Sequence, residues 1–211
     1  MVARTRFFDD ETMAAFNRGV DQVVVLGAGY DGRALRFGSP GVRWIEMDRP
    51  STQRDKRRRL AGLNVDVGHI AFVEVDLVTD NLDAAFDAVD HATDRATLFI
   101  CEGLFAYLCV EDVRSVCHTL RHRAAHGSIL AANFFVDPSS GVFGRSMHRA
   151  VDGVLSLIGE RRLAVFAPGD PERLLGQAGW TEARRHTSKP NPVDGGSHLV
   201  LISARNARDR N

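Results

Sequence analysis

An unbroken apolar run, Val23-Val-Val-Leu26, passes directly into Gly27-Ala-Gly-Tyr-Asp-Gly32. A continuous β-branched run of this kind suits a strand buried on both faces of a parallel sheet, where helices cover both sides. Glycines spaced G-x-G-x-x-G immediately after it permit a sharp turn and let a ligand approach the backbone; the next residues then read as a returning helix. Strand, glycine turn and helix are the opening of a β-α-β unit. The decapeptide therefore commits the chain to an α/β architecture and points to a ligand that carries an adenosine.

The same alternation continues. Met13, Phe16 and Val20 stand at helical spacing behind the acidic stretch Asp9-Asp-Glu11, which predicts a helix over 7–20 ahead of the first strand. Strands are expected at Gln22–Leu26, Val42–Met47, His69–Val75, Ala96–Cys101 and Gly127–Val136. Helices are expected between them, one of them opened by Pro50 and running through Leu60. Asp137-Pro-Ser-Ser-Gly141 breaks the pattern, and the segment 137–168 reads as a small helical cap over the strand ends. Asp170-Pro171 then opens a short helix closed by Gly179, and Trp180–His186 and His198–Ser203 read as two closing strands. The sum is a doubly wound, mostly parallel seven-stranded sheet with helices on both faces and right-handed crossovers.

With 211 residues and 44% hydrophobic content, a single domain over 1–211 is expected. Basic and acidic residues number 27 each, so no global field draws the chain to nucleic acid or an anionic membrane, and a small-molecule partner is expected. No signal-peptide core and no long apolar run is visible, which makes cytoplasmic the expected location. Cys101, Cys109 and Cys117 lack C-x-x-C spacing and read as reduced, mostly buried small hydrophobes. His118, His122 and His126 recur every four residues without an acidic or thiol companion and read as a solvated helix face, so no metal is expected. Arg54-Asp-Lys-Arg-Arg-Arg59 likewise reads as a solvated face.

Both nicotinamide dinucleotides and S-adenosylmethionine fit a glycine loop followed by an acid at the end of the second strand; that acid is Asp48, 21 residues after Gly27. Three features favour the sulfonium. Asp31 lies inside the loop, where it would repel a pyrophosphate but welcome a sulfonium or an α-amino group. Val75-Asp-Leu77 offers a carboxylate for an adenine amine and a leucine for its ring. A helix ahead of the first strand and two strands after the fifth also suit a methyltransferase sheet better than a six-stranded dinucleotide fold. A hydride-transfer pair such as Tyr-x-x-x-Lys after the fourth strand, which an oxidoreductase needs, is not visible.

Arg4-Thr-Arg-Phe-Phe-Asp-Asp10, Gln22 through Arg33, Glu46-Met-Asp-Arg-Pro50, Val75-Asp-Leu77 and Cys101-Glu-Gly-Leu-Phe-Ala-Tyr-Leu108 occur in one order. That order resembles the leucine carboxyl methyltransferase-like family, a group of class I, Rossmann-like, S-adenosylmethionine-dependent methyltransferases with many actinobacterial members. The resemblance covers about residues 4–135 and weakens beyond. It implies that Arg4 or Arg6 holds the methionine carboxylate, that Gly27 and Gly29 line the methionine part and that Asp48 takes the ribose hydroxyls. It further implies that Asp76 and Leu77 hold the adenine, that Glu102 faces the methionine amino group and that Tyr107 looks into the acceptor pocket. Two departures stand out: Gly32 replaces the threonine usual in the family loop, and the chain is much shorter than the eukaryotic enzyme that methylates a phosphatase tail. The expected activity is accordingly O-methylation of a small metabolite, a carboxylate or a hydroxyl. For a hydroxyl, the candidate bases are Asp137, His148 and His118.

Overall fold

The computed structural model describes residues 2–138, 164–187 and 198–207. Its elements run α1 (Val2–Phe16), β1 (Gln22–Leu26), α2 (Arg33–Arg36), β2 (Arg43–Asp48), α3 (Pro50–Gly62), β3 (Ile70–Glu74), α4 (Leu82–Asp87) and β4 (Thr97–Cys101). A 3-10 turn at Phe105–Tyr107 follows, then α5 (Val110–Arg123), β5 (Ile129–Val136), α6 (Asp170–Gln177), β6 (Thr181–Thr187) and β7 (His198–Arg205). The seven strands lie in the order β3-β2-β1-β4-β5-β7-β6. Five are paired in parallel, and β7 is inserted antiparallel between β5 and β6.

Both faces of the sheet are buried at its inner strands β1 and β4, as the apolar run in β1 requires. Val24 and Leu26 point into a core shared with α4, α5 and α6, which includes Phe86, Phe99, Leu120, Leu175 and Trp180. Val23 and Val25 point the other way, against Phe7, Phe8 and Ala15 of α1 and Trp44 of β2. β1, third in the order between β2 and β4, is buried at all five positions, which places the glycine loop that leaves it deep in the carboxyl edge of the sheet. That edge, next to the strand-order reversal between β1 and β4, is where open α/β sheets bind ligands.

The first helix departs from expectation. It covers 2–16 rather than 7–20 and buries Phe7, Phe8, Thr12 and Ala15, while Met13 is exposed. It stops because Gly19, at φ +82°, donates to Phe16 O while Val20 N donates to Ala15 O, a Schellman closure that only a residue tolerant of positive φ makes without strain. Val20 is buried after the turn instead of on the helix. The acids Asp9, Asp10 and Glu11 therefore sit in mid-helix, where they meet Arg33, Arg6 and His186 rather than a helix start.

Elsewhere the boundaries shift by a residue or two. α6 starts after Gly169 with Asp170 already in its first turn. Phe166, inside the segment expected as a helical cap, forms a parallel bridge with Val136. The rest of that cap, 139–163, lies outside the described residues, as do His148 and the loop 188–197. Among the described residues no helix is long and apolar enough to cross a membrane.

Candidate functional site

Two adjoining cavities open at the carboxyl edge of the sheet, and both are walled by Gly27 and Gly29. Their shared wall follows from the loop's backbone. Gly27 and Gly29 have φ of +61° and +48°, and a Cβ added at Gly27 would lie 2.9 Å from Leu104 Cδ1. A side chain at Gly27 would be both strained and crowded against the far wall. Gly32 is different: its φ is −103°, and a Cβ there meets nothing within 4 Å. The third glycine of the motif is thus dispensable on steric grounds.

The first cavity, about 330 Å³, runs along the ends of β2 and β3 and includes Asp48, Arg49, Asp76, Leu77, Leu104 and Tyr107 in its lining. Asp48 is oriented by two backbone donors, Gly29 N at 2.6 Å on Oδ2 and Arg49 N at 2.6 Å on Oδ1. It joins the glycine loop to β2. Asp76 accepts from Val78 N at 3.0 Å, and its Oδ2 lies 3.4 Å from Arg49 Nε across the cavity. Leu77 is half-buried beside it, and Tyr107, on the 3-10 turn, is half exposed. Gly103, at φ +71°, begins that turn, and its N–H donates to the buried Asn133 side chain at 2.6 Å.

The second cavity is ionic and is lined by Arg4, Asp31, Arg33, Arg36 and Glu102 among others. Glu102 receives Arg4 Nε on Oε1 at 2.8 Å and Arg33 Nη1 on Oε2 at 2.7 Å. Asp31 accepts from Arg33 twice, from its N–H at 2.7 Å and from Nη1 at 2.5 Å. Arg36 and Arg33 together clamp Asp9. These contacts, the hydrogen bond from Arg36 foremost, outweigh burial and hold the Asp9 carboxyl below its usual range. Burial pulls the Arg33 guanidinium down, yet Asp31, Glu102 and Asp9 more than compensate and raise it.

Beneath the loop, Lys56 and Glu46 form a buried pair at 2.5 Å, and Lys56 Nζ also donates to Asp31 O at 2.7 Å. Burial raises the Glu46 carboxyl despite the lysine beside it. Lys56 therefore corrects the reading of Arg54–Arg59 as wholly solvated: it is buried, while its basic neighbours are exposed.

Of the residues singled out from sequence, the structure brings Gly27, Gly29, Asp48, Asp76, Leu77 and Tyr107 to the first cavity and Arg4, Asp31 and Glu102 to the second. Arg6 is not among them. It projects with Asp10 toward His186 on the outer side of α1. His118 lies exposed on α5 and lines neither cavity, and Asp137 sits buried beyond β5, bridged to Phe166 O through its N–H. Among the described residues, no group of three or more His, Cys, Asp or Glu side chains is placed to hold a metal ion. Sequence reasoning missed Arg33, Arg49, Lys56 and Asn133. Arg33 and Arg49 stand inside quoted motifs, but only their distant partners reveal a role.

A glycine loop at the strand-order reversal, an acid at the end of β2, a second at the end of β3 and a single reversed strand near the sheet edge define the class I methyltransferase fold. The fold of human N-acetylserotonin methyltransferase, solved with S-adenosylmethionine, is similar, with a TM-score of 0.58 at 15% identity over 89% of this chain and 48% of that one.

The chain belongs to the leucine carboxyl methyltransferase family, whose model matches residues 1–121. A Streptomyces coelicolor relative, provisionally named an S-adenosyl-L-methionine-dependent methyltransferase, is 32% identical over 96% of this chain and 69% of its own. One from Parafrankia, named in the same way, is 38% identical over 62% of this chain and 43% of its own. The matches to this relative and to three from Mycolicibacterium span 43–45% of those proteins' own length.

Proposed function

We propose that the protein is an S-adenosylmethionine-dependent methyltransferase that methylates an oxygen of a small metabolite. The observation that carries this reading is the division of one ligand edge into two cavities around the glycine loop. One offers carboxylates to a nucleoside, and the other offers Asp31 and Glu102 to a cation. The cluster around the second cavity sets Arg4, Arg33 and Arg36 against Asp9, Asp31 and Glu102, a balance that a zwitterionic amino-acid arm keeps and a purely anionic pyrophosphate upsets.

When bound, S-adenosylmethionine supplies an electrophilic methyl carbon on a good leaving group. The protein's own work is then alignment. Asp48, fixed by Gly29 N and Arg49 N, receives ribose hydroxyls; Asp76 and Leu77 receive the adenine; Arg4 turns to the methionine carboxylate and Glu102 to the amino group. Tyr107 borders the space in which an acceptor oxygen is held, and bringing that oxygen within about 3–3.5 Å of the methyl contributes several kcal/mol to the rate. A carboxylate acceptor is already anionic at neutral pH and needs no base; a hydroxyl acceptor has to lose a proton during attack.

Calorimetry with S-adenosylhomocysteine and with NAD separates this reading from an oxidoreductase on the same class of sheet. Binding of the first and not the second is expected, and the reverse would overturn the proposal. A non-catalytic adenosine-ligand binder would bind S-adenosylhomocysteine yet transfer no methyl group to any acceptor in a panel of small carboxylic acids and alcohols.

A further inference from the structure

The ionic cavity contains two arginines of different character. Arg4 is 38% exposed and, among the described residues, pairs with Glu102. Arg33 is 3% exposed, and its guanidinium is committed on every side: Nε to Asp9 at 2.8 Å, Nη1 to Asp31 at 2.5 Å and to Glu102 at 2.7 Å, and Nη2 to Thr5 O at 3.4 Å. One face of it rests over the Phe8 ring, 5.4 Å from the centroid. Its three carboxylate partners come from α1, from the glycine loop and from the segment after β4. A planar five-donor fork can satisfy three such directions at once, and a lysine ammonium on its single stem cannot reproduce that geometry.

We propose that Arg33 is the positioning residue for the amino-acid end of the cofactor: it fixes Glu102 and Asp31 as acceptors for cationic ligand groups while Arg4 exchanges between Glu102 and the ligand. This rests on the cofactor reading above. The charges support the exchange. Arg4, Arg33 and Arg36 face Asp9, Asp31 and Glu102, three against three, so the cluster is balanced without a ligand. A zwitterionic amino-acid arm preserves that balance: its ammonium takes the place of Arg4 on Glu102 Oε1, and its carboxylate receives the displaced Arg4. Glu102 keeps its orientation throughout because Oε2 remains on Arg33. Arg33 itself, with four of its five guanidinium N–H groups turned to Asp9, Asp31, Glu102 and Thr5 O, acts on the ligand through Glu102 and Asp31.

The alternative is that Arg33 merely pins α1 to the sheet. The two differ in which part of the ligand senses its removal. Calorimetry with S-adenosylhomocysteine and with 5′-methylthioadenosine, which keeps the nucleoside and thioether but lacks the amino-acid arm, reads that difference. Arg33→Met is expected to weaken S-adenosylhomocysteine binding by about tenfold or more, with 5′-methylthioadenosine held within about twofold. Arg33→Lys, keeping the charge and losing the fork, is expected to remain about fivefold weaker on the first ligand. Equal loss on both ligands, no loss on either, or full rescue by lysine overturns the proposal. If Arg33→Met does not fold, Asp9→Asn removes one anchor of Arg33 from outside the cavity; about a threefold loss confined to S-adenosylhomocysteine is expected, and unchanged affinity overturns the proposal. A wild-type protein that binds neither ligand removes the cofactor reading and this inference together. Wild-type binding of both, with equal losses in the variants, removes the inference alone.

Discussion

The nucleoside cavity and the ionic cavity meet at two glycines but are built by different means. In the first, Asp48 and Asp76 stand where apolar strands end and are aimed by backbone N–H groups within a few residues or across the neighbouring loop. In the second, side chains from α1, the loop, α2 and the end of β4 hold one another through charge. A site aimed by backbone keeps its shape when one side chain changes, whereas a site aimed by interlocked charges transmits a change at one member to the others.

The largest expected effect tests the backbone-aimed half. Asp48→Ala and Asp76→Ala are each expected to weaken S-adenosylhomocysteine about tenfold or more, roughly 1.4 kcal/mol, in calorimetry on folded protein. Because the nucleoside is common to both ligands, 5′-methylthioadenosine should weaken alongside it. Unchanged affinity in both variants would remove these carboxylates from the site. A smaller effect separates two neighbours on α1. Arg4→Ala should cost S-adenosylhomocysteine about fivefold, near the 1 kcal/mol scale of a partly exposed ion pair. Arg6→Ala, paired with Asp10 away from both cavities, should cost nothing measurable.

Acid is expected to distinguish the halves more gently. The Asp9 carboxyl is held below its ordinary value of 3.8, so its contribution is present above that pH and is lost as pH falls below it through the depressed folded value. Thermal unfolding followed from pH 5 downward to about pH 3 should fall less steeply for Asp9→Asn than for the parent. Parallel curves would show that the clamp of Arg33 and Arg36 on Asp9 adds no stability. The smallest effect is expected at Gly32→Thr, with affinity within about twofold of the parent, because the position has a negative φ and open space around it.

The same contrast explains what the sequence made legible. The sheet, the glycine loop, Asp48 and Asp76 could be read because each signal is local: an apolar run, a turn and an acid at its end. Arg33 could not, because it acquires meaning from Asp9, 24 residues before it, and from Glu102, far beyond it in the chain. Lys56 looked like one cation in a basic run; only the helical turn carrying Gln53, Lys56 and Leu60 inward, against Glu46, distinguishes it. The first helix was misplaced for a related reason. Its acids resembled a helix start, but the tertiary structure uses them as partners for basic side chains elsewhere, and the stop signal lay in Gly19.

The reversed strand also matters for the order in which the chain is made. β5 is apolar over Ile129–Val136 except at Asn133, and its outer edge is paired residue for residue with β7, from Ile129 opposite Arg205 to Val136 opposite His198. A ribosome delivers β5 long before β7. During that interval a greasy strand carries an open row of backbone donors and acceptors, the kind of edge that recruits other chains. Residues 198–205 thus cover the edge of β5 and move the sheet's border outward to β6.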